Sequence, residues 1–127
     1  MIVGGYALAF HGVPRYTGDI DIYVKPDIQN ASKIMRALEA FGFGAVGIEQ
    51  KDLETPDKVI QLGIPPVRID IITSITGVTW DEANSHCVEG KYGETRVRYI
   101  GLQAFITNKR ATGRKRDLSD LESIGEE

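Results

Sequence analysis

The chain has 127 residues, and its hydrophobic fraction of 42% and charged fraction of 26% are ordinary for one soluble globular domain over residues 1–127. The formal net charge of −3 argues against strong binding of duplex DNA through bulk positive charge. No apolar stretch approaches the roughly 20 residues of a membrane-spanning helix, and a single cysteine excludes a disulfide within the chain. These features predict a cytoplasmic protein with no membrane partner.

The first part of the sequence predicts two strand and helix pairs. Apolar residues repeat at period two in the strands and at helical spacing in the helices, and glycine and proline separate the segments. The predicted elements are the end of a strand at 1–3, a turn at Gly4-Gly5, a short helix at 6–11, a strand at 17–24, and a helix from 28 to 41 that Asp27 caps.

The rest of the sequence predicts two more strands, a hairpin and the closing helices. Residues 44–52 are predicted as a loop or irregular strand. The β-rich runs 58–64 and 67–73 are predicted as adjacent antiparallel strands. They are followed by a short helix at 80–84, a hairpin of 87–89 and 95–99 around Gly-Lys-Tyr-Gly, a helix at 102–114, and a last helix that begins at Asp117 or Ser119. The predicted fold class is α+β, with a mixed sheet flanked by helices.

Two aspartates stand one residue apart in the strand-like sequence Gly-Asp-Ile-Asp-Ile-Tyr-Val. Alternate residues of a strand share a face, so Asp19 and Asp21 point the same way while Ile20 and Ile22 point into a core. Two close carboxylates repel each other unless a cation neutralises them, and Mg²⁺ or Mn²⁺ favours such oxygen ligands. A solvated strand face is the alternative, because outward polar residues need no function.

A third aspartate lies in a second strand-like sequence, Val-Arg-Ile-Asp-Ile-Ile-Thr. If this strand lies beside the first, Asp70 joins Asp19 and Asp21. Three carboxylates on adjoining strands can hold two metal ions about 3.5–4 Å apart, the arrangement used in phosphoryl and nucleotidyl transfer. The alternative is an ion pair between Asp70 and Arg68 or a neighbouring lysine. Because aspartate is depleted in strands, its presence favours a local reason.

The glycine pair Gly4-Gly5 precedes a predicted helix and comes just before the paired aspartates. Backbone N–H groups at a helix N-terminus attract phosphate oxygens. A glycine pair also marks ordinary turns, so this signal depends on its position in the chain. A phosphate-binding loop followed by a metal site is the order that a nucleoside triphosphate would require.

The sequence "VGGYALAFHGVPRYTGDIDIYVKP" resembles the opening motif of the DNA polymerase beta-type nucleotidyltransferases, and in particular their small prokaryotic members, some of which are toxin components. In this family a Gly-Gly or Gly-Ser pair precedes Asp-x-Asp, and a third aspartate follows on a neighbouring strand. Gly4, Gly5, Asp19, Asp21 and Asp70 match that pattern. Members usually carry a helix and a full strand before the glycine pair, which here begins at the fourth residue. The resemblance therefore implies an N-terminally short polymerase-beta-like fold.

The resemblance also implies roles for individual residues. Asp19 and Asp21 would hold both metal ions, and Asp70 would complete the ion that activates the acceptor hydroxyl and would act as general base. The N–H groups of Gly4 and Gly5 would bind the β and γ phosphates.

Three further residues are predicted to bind the triphosphate. Arg15 and Thr17 lie between the glycine pair and the aspartates, where an arginine can bind phosphate oxygens in a bidentate manner. The alternative for Arg15 is an exposed arginine that caps a turn. Lys109 is at a position that in similar proteins points toward the triphosphate. The neighbouring basic residues are weaker candidates, because they can also pair with Asp117 and Asp120.

The predicted activity is transfer of a nucleoside monophosphate from an NTP, with Mg²⁺ or Mn²⁺, to a hydroxyl of a protein, an RNA end or a small molecule. The competing hypothesis is a weakly active or inactive module that binds a nucleotide or a partner, such as the antitoxin of a toxin–antitoxin pair. A metal-dependent phosphoesterase is disfavoured, because such sites usually use histidine ligands and His11 and His86 are far apart in the sequence.

Overall fold

The computed structural model of the protein describes residues 1–43, 47–64 and 66–126. The elements in this part of the chain are β1 (Ile2–Val3), α1 (Gly4–Phe10), β2 (Asp19–Tyr23), α2 (Ile28–Ala40), α3 (Gln50–Glu54), β3 (Val59–Leu62), β4 (Arg68–Ile72), α4 (Trp80–Ser85), β5 (Val88–Tyr92), β6 (Thr95–Tyr99), α5 (Leu102–Thr112) and α6 (Lys115–Ser123).

The described strands form one mixed sheet in the order β3-β4-β2-β1-β6-β5. The pairs β3–β4, β2–β1 and β6–β5 are antiparallel, whereas β4–β2 and β1–β6 are parallel. The predicted fold class, α+β with a mixed sheet flanked by helices, is confirmed. So is the antiparallel pairing of β3 with β4. Although β1 has only two residues, it lies between β2 and β6 and joins the two halves of the sheet.

The sheet separates two apolar clusters. Ile71 and Ile72 are consecutive in β4 and so point to opposite faces. Ile71 packs with Ala31 and Leu38 of α2, whereas Ile72 packs against the cluster that contains Tyr23 and Phe105. Consequently α2 covers one face of the sheet and α5 contributes to the core on the other.

Helix α2 begins at the residue that the sequence predicts. The Asp27 carboxylate accepts a hydrogen bond of 2.7 Å from the backbone N–H of Asn30, as the predicted N-cap requires. The helix ends at Ala40, one residue before the predicted end, and Gly42 follows with a positive φ of 91°.

Helix α3 is not predicted by the sequence. Residues 44–52 were expected to form a loop or irregular strand. Of these, 44–46 lie outside the described residues, and a helix begins at Gln50. Leu53 is its one buried residue. A single apolar residue in five gives no periodicity, so the helix left no pattern in the sequence.

The hairpin turn lies further along the chain than predicted. Gly90, Lys91 and Tyr92 continue β5, and the turn is at Gly93-Glu94. A Cβ on Gly90 would lie 2.6 Å from the Phe10 ring, which itself stacks on Tyr99 at 4.1 Å. Gly90 therefore makes room for an aromatic contact and does not form the turn.

The boundary between the last two helices also differs from the prediction. Helix α5 ends at Thr112, where Gly113 adopts a left-handed φ of 63°. Helix α6 begins at Lys115, earlier than predicted, because the Asp117 carboxylate accepts a hydrogen bond from the Arg114 N–H at 3.2 Å and so caps the helix.

Among the helices of the described residues, none combines the length and the apolar character needed to cross a membrane.

Candidate active site

Three carboxylates from two adjacent strands meet at the centre of the sheet. In the parallel register of β2 with β4, Asp21 lies directly opposite Asp70. One carboxylate oxygen from each of Asp19, Asp21 and Asp70 lies within 4.8 Å of the others. Asp70 is buried at 6% exposure, while Asp19 and Asp21 are half-buried. The structure thus brings these three residues, hereafter the acidic triad, to one site.

The backbone pattern explains why the triad forms. Asp19 and Asp21 share one face of β2, and the next residues on the other face, Ile20 and Ile22, are apolar. A register slip by one residue would bury both carboxylates among apolar side chains. The parallel pairing then places Asp70, on the same face of β4, beside them.

Arg68 forms ion pairs with two members of the triad. Its Nε and Nη2 donate to the two carboxylate oxygens of Asp70 at 2.9 and 2.8 Å, and Nη2 also donates to Oδ2 of Asp19 at 3.0 Å. The pairing with Asp70 is the alternative that the sequence left open. The additional bridge to Asp19 links β2 and β4 and was not foreseen, because it depends on the pairing of the two strands.

Asp21 is the member of the triad that Arg68 does not contact. Within the described residues its side chain takes part in no hydrogen bond or ion pair. Burial, followed by the charges of Asp19 and Asp70, raises the pKa of Asp21 to about 6, although Lys109 and Arg116 act in the opposite direction. Asp21 is therefore the carboxylate that would gain most from an added cation.

The glycine pair lies in the first turn of α1, not in a separate turn before it as the sequence predicted. Gly4 has a positive φ of 67°, and a Cβ there would collide with Oδ2 of Asp21. A Cβ on Gly5 would lie 3.1 Å from the Cβ of Thr17. Gly4 therefore allows the backbone at the start of α1 to approach the acidic triad closely, and Gly5 allows it to approach Thr17.

Thr17 supports the triad directly. Its hydroxyl donates a hydrogen bond that is shared between the backbone oxygen and Oδ1 of Asp19, both at 3.1 Å. This contact orients the Asp19 carboxylate. A phosphate contact of Thr17 stays a prediction.

A cleft of about 510 Å³ opens beside the triad. Its walls come from the start of α1, from the segment that follows β4, and from α5 and α6. The polar and charged residues that line it are Arg15, Thr17, Asp19, Asp21, Ser74, Thr76, Asn108, Lys109, Thr112, Arg114 and Arg116. Its volume lies within the range of small-molecule sites.

Two of the predicted triphosphate-binding residues form ion pairs with α6. Lys109 is buried, and its Nζ lies 3.0 Å from Asp117 and 3.4 Å from Asp120. Arg15 donates two hydrogen bonds to Asp120, at 2.8 and 3.1 Å. Both residues line the cleft, but their charges are largely neutralised there. Their role in binding phosphate stays a prediction.

Arg116 was a weaker candidate in the sequence, and the structure places it on the wall of the cleft. It is exposed, and in the described part of the chain it makes no hydrogen bond or ion pair. Its charge lowers the pKa of Asp21, so its field reaches the triad. The only signal in the sequence was its membership of the basic run before α6, where the neighbouring Arg114 instead pairs with Asp117 at 2.7 Å.

His11 has a structural contact. Its Nε2 lies 2.8 Å from the backbone oxygen of Ile100, at the end of β6. This contact connects the end of α1 to the sheet, at a place outside the acidic triad.

A scan against protein-family models and a search of curated proteins both found no match to this chain.

Proposed function

We propose that the protein is a metal-dependent nucleotidyltransferase that moves a nucleoside monophosphate from an NTP to an acceptor hydroxyl. The observation that carries this proposal is the meeting of three carboxylates from β2 and β4 beside a cleft that α1 and the basic residues of α5 and α6 also line. Carboxylates and cations around one cleft suit a substrate that combines metal ions with phosphates.

The donor set of the triad suits a hard divalent cation. All three residues offer oxygen atoms, which Mg²⁺ and Mn²⁺ prefer. A positively charged group, the Arg68 guanidinium, already lies against Asp19 and Asp70. Gly4 leaves open the space next to Asp21 that a side chain would fill. Asp19, Asp21 and Asp70 would hold the metal in this proposal.

The triphosphate would lie between the start of α1 and α6. The N–H groups of Gly4 and Gly5 would bind the β and γ phosphates, and Arg116 would supply a cation that no carboxylate of the described residues neutralises. Arg15 and Lys109 also line the cleft, and they would turn positive charge toward the phosphates as their pairs with the carboxylates of α6 open.

In the proposed reaction the acceptor oxygen attacks the α-phosphorus, and the bond from that phosphorus to the bridging oxygen of the β-phosphate breaks. Pyrophosphate leaves with the electron pair. The hydroxyl proton passes to a carboxylate oxygen of Asp70, which must first lose one of its hydrogen bonds from Arg68. Bound divalent cations would supply Lewis-acid charge stabilisation and a lower pKa of the acceptor hydroxyl.

One observation favours a nucleotide-binding module without turnover as a second candidate. The two cations that the sequence predicted for the triphosphate, Arg15 and Lys109, already have carboxylate partners on α6. If these pairs persist with nucleotide present, the transition state receives less positive charge than in the first candidate.

A turnover assay separates the two candidates. The assay measures incorporation of each α-labelled NTP into total RNA and total protein with Mg²⁺, for the wild type, Asp21→Asn and the exposed-aspartate control Asp81→Asn. We expect incorporation by the wild type and the control, and a loss of more than about 100-fold in Asp21→Asn, because a metal ligand is removed.

Equal incorporation by the wild type and Asp21→Asn would refute catalysis at this site. If neither the wild type nor either variant transfers label to any acceptor, but the wild type binds ATP in equilibrium dialysis, the protein is better described as a nucleotide-binding module without turnover.

A further inference from the structure

The Arg68 guanidinium is a positive charge that lies directly against the acidic triad. Arg68 stands two residues before Asp70, so both side chains leave the same face of β4. Its guanidinium makes two hydrogen bonds to Asp70 and one to Asp19, all between 2.8 and 3.0 Å. The Arg68 side chain is 29% exposed, so it reaches the triad from the solvent-accessible side.

These contacts use the oxygen atoms that a metal would need. Both carboxylate oxygens of Asp70 accept from Arg68, and so does Oδ2 of Asp19. A bidentate arginine and carboxylate pair is among the strongest hydrogen-bonded pairs in proteins. A divalent cation and the guanidinium also repel each other at such short range. The guanidinium and a divalent cation therefore compete for these oxygens.

We propose that Arg68 is a built-in counter-ion of the acidic triad, which a divalent cation must displace in order to bind Asp19 and Asp70. The inference deepens the proposed function and rests on its cation site. In the free protein, Arg68 neutralises part of the charge that three close carboxylates create. When the metal arrives, the guanidinium withdraws toward solvent, which its partial exposure permits. Arg68 therefore lowers the affinity of the free protein for metal.

The test compares Mn²⁺ binding, from the electron paramagnetic resonance signal of free Mn²⁺, in nucleotide-free wild type, Arg68→Gln and Arg68→Lys. Arg96→Gln, at an exposed arginine of β6, is the matched control. We expect Arg68→Gln to bind Mn²⁺ about tenfold more tightly, since the competing charge is gone. Arg68→Lys should fall between the two, because lysine keeps the charge but loses the bidentate geometry. The control should match the wild type.

A second readout follows Arg68 itself. The ¹H–¹⁵N resonance of its Nε group, assigned by its absence in Arg68→Gln, should move toward the position of a solvent-exposed arginine when Mg²⁺ is added. A resonance that stays unchanged while Mg²⁺ binds would overturn the displacement.

The outcomes also separate this inference from the proposed function. Mn²⁺ binding of equal or lower affinity in Arg68→Gln overturns the counter-ion role while leaving the cation site intact. Absence of Mn²⁺ binding in both the wild type and Arg68→Gln overturns the cation site, and the inference with it.

Discussion

The three carboxylates of the acidic triad differ in how their charges are balanced. Asp70 and Asp19 receive hydrogen bonds from Arg68, and Asp19 also from Thr17. Asp21 has neither contact and is held only half-buried beside two like charges. Its pKa is therefore raised to about 6, chiefly by burial. Asp21 is thus a carboxylate whose ionisation opposes folding.

The raised pKa of Asp21 makes the free energy of unfolding depend on pH. Because the pKa of Asp21 is higher in the folded than in the unfolded protein, the folded state holds the proton more tightly. Its stabilising contribution is complete below about pH 4 and is lost as the pH rises through about 6. In metal-free buffer, Asp21→Asn should therefore match the wild type at pH 4 and exceed its free energy of unfolding by about 2 kcal/mol at pH 7.5.

Urea denaturation at a series of pH values measures this difference. Asp81→Asn, at an exposed aspartate outside the triad, should keep the wild-type slope between pH 4 and 6. A loss of stability in Asp21→Asn at pH 7.5 would contradict the repulsion described here and would give Asp21 a structural role instead.

Among the secondary-structure elements, α6 is held against the rest of the site by buried ion pairs as well as by apolar packing. Asp117 is 0% exposed and Asp120 is 2% exposed. Burial alone would raise the pKa of Asp117, but hydrogen bonds from Arg114 and Lys109 outweigh it and hold that pKa well below its ordinary value. Since Arg15 precedes β2 and Lys109 lies on α5, these ion pairs connect three parts of the chain around the cleft.

Removing the central cation of this arrangement should destabilise the protein strongly. Lys109→Met keeps much of the side-chain volume but leaves Asp117 and Asp120 buried with one fewer partner. We expect a loss of about 3 kcal/mol in the free energy of unfolding, less than for an isolated pair because Arg114 and Arg15 remain.

Chemical denaturation checks this expectation, with Lys115→Met as the matched control. Lys115 is an exposed lysine in the first turn of α6, and its replacement should change the free energy by less than about 0.5 kcal/mol. Equal stability of Lys109→Met and the wild type would show that the buried ion pairs do not hold α6 in place.

At the scale of the whole molecule, the cleft joins groups of opposite charge that come from distant parts of the sequence. The triad lies at the centre of the sheet, and Arg116 lies on the wall formed by α6. A ligand that carries both a divalent cation and phosphates can satisfy both charges. Such a ligand should stabilise the folded protein by mass action.

Thermal melting tests this coupling. With Mn²⁺ and ATP at about a hundred times the dissociation constant, we expect the melting temperature to rise by about 10 °C. Arg116→Gln should reduce the extra rise that ATP produces but keep the rise that Mn²⁺ alone produces. Arg36→Gln, at an exposed arginine of α2, should behave as the wild type. Equal shifts in all three proteins would remove Arg116 from nucleotide binding.

The strand pattern allowed much of the candidate site to be predicted. Alternation of apolar and polar residues fixed which side chains share a face, so Asp19 and Asp21 were expected together, and Asp70 with them if the strands were neighbours. The Asp27 cap and the class of the fold followed from equally local signals. Helix α3 did not, because its one buried residue, Leu53, creates no periodicity.

The faces of the strands and the positions of the acidic and basic residues along them could be predicted from the sequence, because they depend on neighbours along the chain. Which charges meet depends on how the strands pair and how the helices pack. The tertiary structure pairs Arg15 with Asp120, 105 positions away, and brings Arg68 of β4 to Asp19 of β2. An ion pair needs two side chains that lie a few ångströms apart. For residues far apart in the sequence, strand pairing and helix packing set that distance, and the local periodicity of the sequence carries no information about it.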